Sequence, residues 1–180
     1  DELERAKEEI ERLNDELKKS LEEVEKEVEK LDDDNRRTSR RVSEEVKRLN
    51  KELEDEVRRD DVERAIRESE ELLRRLEESS ERSNEESRRL LKELAKTVRE
   101  VSKTSKKSLE ELEKLVRDNA DRDTIRKVLK ENEDLIRKLE EILKKVLDEI
   151  RRLIEDNKRE LEDMLRKNKE LHDRLRERAR

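Results

Sequence analysis

The chain has 180 residues, 59% of them charged and 28% hydrophobic, with a net charge of −6. It contains no Gly, Pro, Cys, Phe, Trp or Tyr, which excludes a disulfide framework, a thiolate site and aromatic stacking on nucleic-acid bases. Charges of both signs are interspersed, so no segment forms a basic nucleic-acid footprint, and no apolar run is long enough for a membrane span or a signal peptide.

The alphabet that remains, rich in Leu, Val, Ile, Glu, Lys and Arg, favours helix at nearly every position. High charge alone points to disorder, but the apolar residues are periodic. From Leu3 they step by threes and fours through Ala6, Ile10, Leu13, Leu17, Leu21, Val24, Val28 and Leu31, then resume at Val42, Val46, Leu49, Leu53 and Val57. That is a coiled-coil-like heptad stripe, and Asn35 and Thr38 occupy its interruption.

The phase breaks at VRRDDVERAI. Arg58 and Arg59 suit the negative end of a helix, while Asp60 or Asp61 suits the start of the next; Asp60 with Glu63 has capping-box spacing. A second stripe runs from Val62, Ile66, Ser69, Leu73 and Leu76 through Leu90, Leu94, Val98 and Val101 to Leu112 and Leu115. The break VRDNADRDTI supplies Asn119 as a left-handed terminator and Asp121 or Asp123 as an N-cap. The third stripe runs from Ile125 and Val128 through Asn132, Leu135, Leu139, Ile142, Val146, Ile150, Leu153, Asn157, Leu161, Met164 and Asn168 to Leu171 and Leu175. The expectation is a single all-α domain over residues 1–180, an antiparallel up-down-up three-helix bundle. Its helices should span approximately 2–59, 61–118 and 122–179, each about 57 residues and roughly 85 Å long at 1.5 Å per residue.

Reversal near 60 and 120 brings polar positions to common heights. Residue n of the first helix should face about 120 − n on the second and 120 + n on the third. Asn35 and Thr38 then lie level with Ser83, Ser87 and Asn157. Asn132 lies level with Ser105 and Ser108, near Asn14. Asn168 and His172 lie level with Ser69, near Asn50. A buried amide or hydroxyl without a partner costs about 1–3 kcal/mol; paired, it penalises every register that separates the partners.

With Asn35, Thr38, Ser83, Ser87, Asn132, Asn157 and Asn168 set in regular Leu/Val/Ile stripes beneath Glu/Lys/Arg surfaces, the chain resembles a computationally designed (de novo) helical bundle with buried hydrogen-bond networks. The likeness is one of style over the whole chain. It implies a structural scaffold or assembly component, with no natural biochemical activity. The connections depart from that style, which usually places Gly or Pro there.

No catalytic constellation emerges. His172 is the one histidine, and Lys169 stands where a bundle-type di-metal motif would need Glu, so neither metal nor cofactor is expected. RRTS (36–39) and RRVS (40–43) resemble kinase substrate strings but read as helix face plus core serine. No carboxylate pair stands apart in an apolar cleft, and the serines lack an acid–base set, so no enzyme is expected. Apolar doublets remain at Leu72/Leu73, Leu90/Leu91, Leu135/Ile136, Ile142/Leu143, Val146/Leu147 and Leu153/Ile154. They read as a widened face within one bundle or as a surface for another copy or an added helix. The first helix lacks such doublets, so any outside partner should meet helices two and three; none is required, and neither nucleic acid nor membrane is expected. Localisation is left open: no targeting signal is present, and a soluble chain is expected to stay in the cytoplasm of an expression host.

Overall fold

The computed structural model describes the backbone of residues 2–179 and the side chains of residues 4–179; the side chain of Leu3, which opens the first stripe, lies outside that range. Three α-helices account for nearly all of it: α1 (Glu2–Glu56), α2 (Asp60–Arg117) and α3 (Arg122–Ala179). They pack against one another pairwise as an all-α three-helix bundle with no strand among the described residues. The heptad stripes explain this, since each helix has an apolar face that only neighbouring helices can cover.

The connections follow from local chemistry. α1 ends at Glu56, three residues before the expected boundary, and Val57 N still donates to Leu53 O at 2.9 Å. α2 begins at Asp60, with Asp61 rather than Asp60 acting as the side-chain acceptor: its Oδ1 receives Val62 N at 3.0 Å while Arg59 grips both carboxylate oxygens. At the other end Asn119 takes φ 55°. Ala120 N donates to Leu115 O at 2.9 Å and Asn119 N to Val116 O at 3.2 Å, the paired bonds of a Schellman termination, with Asn in the left-handed position that Gly usually fills. Asp121 caps α3, its Oδ1 accepting both Thr124 N at 2.8 Å and Thr124 Oγ1 at 2.6 Å. These two features explain how the chain turns between α2 and α3 without Gly or Pro.

Contacts divide the chain into two compact units, one formed by α1 through Val28 with Arg88–Glu149, the other by Glu29–Ser87 with Ile150 onward. In the first, α1 buries Ile10, Leu17 and Val28, α2 buries Val98 and Leu112, and α3 buries Ile136 and Leu143. In the second, Val42, Val46, Leu73, Leu161, Met164 and Leu165 form one apolar cluster. Leu53, Val62, Ile66 and Leu175 form another. Fully burying a Leu or Val of this kind contributes about 1.5–3 kcal/mol.

Candidate functional site

Among the described residues, 26 apolar side chains are buried, and 16 polar or charged ones are buried with them. Polar groups are therefore a regular part of the interior, and their partners show what they accomplish.

The most complete layer lies between the two apolar clusters of the second unit. Ser69 Oγ donates to Asn168 Oδ1 at 2.6 Å, Asn168 Nδ2 to Asn50 Oδ1 at 3.4 Å, and Asn50 Nδ2 to Ser69 Oγ at 3.5 Å. The three bonds close a ring with one residue from each helix, and each residue both donates and accepts. Such a cycle is mutually polarising and loses its members' satisfaction together if any helix shifts. Asn50 is 1% exposed, Ser69 7% and Asn168 5%.

Two further layers join α1 to α2. In the first unit Asn14 Nδ2 donates to Ser105 Oγ at 2.9 Å. In the second, Asn35 Nδ2 donates to Asn84 Oδ1 at 2.9 Å and to the Ser80 carbonyl at 3.5 Å. The residue numbers in Asn14–Ser105, Asn35–Asn84 and Asn50–Ser69 each add up to 119, close to the 120 that simple fold-back requires.

The remaining sequence-derived positions fall as follows. Thr38 is buried. Ser83 is half-buried, and its Oγ turns back to the Ser79 carbonyl; Ser87 Oγ likewise bonds the Ser83 carbonyl. Asn35 thus meets Asn84 where the heights alone pointed to Ser83 and Ser87. Asn132 and Asn157 are both buried, and the Nδ2 of each lacks a hydrogen-bond partner. Ser108 is half-buried. His172 is 2% exposed, one turn beyond Asn168, with Nδ1 unpartnered. Burial holds its pKa below the usual histidine value; Arg176 adds to this and Asp173 opposes it.

Sequence heights alone did not single out Asn84, Ser80 or Asp32. Heptad phase finds the first two: Ser80 continues Ile66 and Leu73 toward Ser87 and Leu94, and Asn84 precedes Leu91, Val98, Ser105 and Leu112 at sevens. Asp32 lies beside the half-buried Leu31 and is 5% exposed. Burial raises its carboxyl pKa to about 6, with Arg36 opposing and Asp33 and Glu81 adding to the rise.

Exposed ion pairs decorate the helix surfaces. Lys7 meets Glu113 within the first unit; Arg41 meets Glu162 at 3.2 Å and Arg176 meets Glu56 at 2.8 Å within the second. Such surface pairs contribute little, about 0–1 kcal/mol each. Among the described residues no cluster of three or more His, Cys, Asp or Glu side chains is placed to hold a metal ion. Among the described residues, no helix is long and apolar enough to cross a membrane.

The geometry defines a class: a three-helix bundle with buried Asn and Ser hydrogen bonds between its helices. No protein-family model, curated protein or solved structure matches the chain.

Proposed function

We propose that this chain is a designed structural scaffold in which buried Asn, Ser and Thr side chains specify which helices pair and in what register. The ring of Asn50, Ser69 and Asn168 carries this reading, because it draws one side chain from each helix and each of the three both donates and accepts within it. Replacing all three with Leu, followed by denaturant unfolding and amide NMR, tests it. The expected outcome is equal or greater stability with more than one set of amide signals, because apolar layers tolerate several registers. A single unchanged set of signals would show that the ring does not choose the alignment.

A second reading, an assembly component that accepts an added helix, is supported by two observations. Leu72, Leu135 and Ile142 are exposed on α2 and α3, and the buried amides of Asn132 and Asn157 have unpartnered nitrogens.

A further inference from the structure

The closed ring of the second unit has a counterpart in the first. Asn14 lies 36 residues before Asn50 on α1, Ser105 lies 36 residues after Ser69 on α2, and Asn132 lies 36 residues before Asn168 on α3. That interval makes about ten turns at 3.6 residues per turn, so each side chain keeps its helical phase. The opposite sign on α2 is what an antiparallel helix requires. The surroundings repeat as well: EEIERLNDEL around Asn14 matches EEVKRLNKEL around Asn50, and LKEN ending at Asn132 matches LRKN ending at Asn168.

One bond of the ring is shared by both layers and another is not. Asn14 Nδ2 donates to Ser105 Oγ at 2.9 Å, as Asn50 Nδ2 donates to Ser69 Oγ at 3.5 Å. In the second unit Asn168 Nδ2 also donates to Asn50 Oδ1 at 3.4 Å. The matching atoms of the first unit, Asn132 Nδ2 and Asn14 Oδ1, are buried and have no hydrogen-bond partner. A third such atom, Ser102 Oγ, stands one turn before Ser105. Ser102 falls 36 residues after Ile66, so the first unit exchanges a sec-butyl group for a hydroxymethyl group at that place. Asn14, Ser102 and Asn132 are each 5% exposed.

A donor, an acceptor and a hydroxyl open within one layer form a complementary set. Left unpaired, each forfeits its full desolvation cost. One small molecule that both donates and accepts can satisfy all three, and a buried water typically makes about three hydrogen bonds to groups of this kind. It would accept from Asn132 Nδ2, donate one hydrogen to Asn14 Oδ1 and donate the other to Ser102 Oγ.

Resting on the register-setting role proposed above and carrying it into the first unit, we propose that Asn14, Ser102 and Asn132 bind one ordered water molecule. With the Asn14–Ser105 bond, that water ties one side chain or more from every helix into a single layer. The first unit is thus aligned by a water-closed layer where the second is aligned by a direct ring. A bridging water is enthalpically nearly as good as a direct bond. Ser102 makes the difference, because Ile66 offers no hydroxyl at the equivalent place.

The test uses the full chain, isotope-labelled, with the Asn132 side-chain amide assigned by its loss in Asn132→Leu. Cross-peaks between water and that amide are expected with opposite signs in NOESY and ROESY spectra, the mark of a long-lived bound water. Ser102→Ala keeps the space and should keep them. Ser102→Ile installs the second unit's residue and should abolish them, while the Asn132 amide stays protected from exchange. Four results would overturn the proposal. A protected amide without water cross-peaks in the parent chain would mean that Asn132 bonds Asn14 directly, as Asn168 bonds Asn50. Cross-peaks of equal sign would report exchange with bulk solvent. Loss in Ser102→Ala would trace them to the hydroxyl proton, and survival in Ser102→Ile would place the water elsewhere. The Asn50 and Asn168 side-chain amides are read in the same spectra. If they are protected, failure at Asn132 removes the water alone; if they exchange freely, the register-setting reading fails with it.

Discussion

Asp32 is the one buried carboxylate among the described core residues, and its effect on stability has a definite sign. A carboxyl raised from about 3.9 in the unfolded chain to about 6 in the fold favours the folded state most below the lower value. That contribution is lost as pH rises through about 6, and amounts to roughly 2–3 kcal/mol. Asp32→Asn should therefore be more stable than the parent at pH 7 by about that amount, with the difference vanishing near pH 4 in parallel denaturant titrations. His172 acts in the opposite direction. Its depressed pKa stabilises the fold above about 6.5, and that contribution fades as pH falls through the folded value. The amides separate by partnership. Asn168→Leu removes a member of a closed ring and leaves Asn50 and Ser69 incomplete, so a loss of about 1–3 kcal/mol is expected. Asn157→Leu removes an amide nitrogen that has no partner, so stability should hold or rise. Urea midpoints of the two variants check the contrast. Heights counted from the turns were enough to bring Asn14, Asn50, Ser69, Ser105 and Asn168 to their layers. They misdirected Asn35 because Ser83 and Asn84 share a height and differ only in the direction they face on α2. Heptad phase, which places Asn84 with Val98 and Leu112, resolves that difference.

At the scale of the element, the interior of each helix was legible from periodicity, while its ends depended on chemistry of a few residues. The apolar stripes placed the bodies of α1, α2 and α3, and Asn119 with Asp121 marked the second turn. The first turn was less legible: Val57, Arg58 and Arg59 continue a helical composition, yet α1 stops at Glu56 and Arg59 is engaged with Asp61 instead. No single residue there enforces a stop. The doublets misled for a related reason, since period alone does not say which member faces inward: the third stripe was drawn through Leu135 and Ile142, whose neighbours Ile136 and Leu143 take the interior instead. Leu73, Ile136 and Leu143 are buried while Leu72, Leu135 and Ile142 are exposed. The second turn yields a prediction. Asn119→Val forces a β-branched residue to φ 55° and should cost about 1–2 kcal/mol, whereas Asn119→Gly should stay within a few tenths. Asp121→Ala should cost about 1 kcal/mol through loss of its two Thr124 bonds. Thermal melts by circular dichroism rank the three variants.

For the molecule as a whole, fold-back makes contacts between residues far apart in sequence, and these are open to measurement. A nitroxide attached at position 41 should broaden amide signals around Glu162, which Arg41 meets across 121 residues of sequence, and should spare those a few turns away along α3. Broadening confined to neighbours of position 41 in sequence would mean that the chain does not reverse. The three α1–α2 polar pairs carry a further consequence. Going from Asn14 to Asn35 to Asn50 on α1, the intervals are 21 and 15 residues, matched by those from Ser105 to Asn84 to Ser69 on α2. Unequal graduations on two facing rulers coincide at one offset only. Sliding α2 by 21 residues would let Asn14 find Asn84 but set Asn35 against Glu63; sliding it by 15 would let Asn50 find Asn84 but set Asn35 against Arg99. Every mistaken translation that rescues one mark forfeits another, so the helices are indexed along their length by arithmetic that no repeating leucine pattern contains.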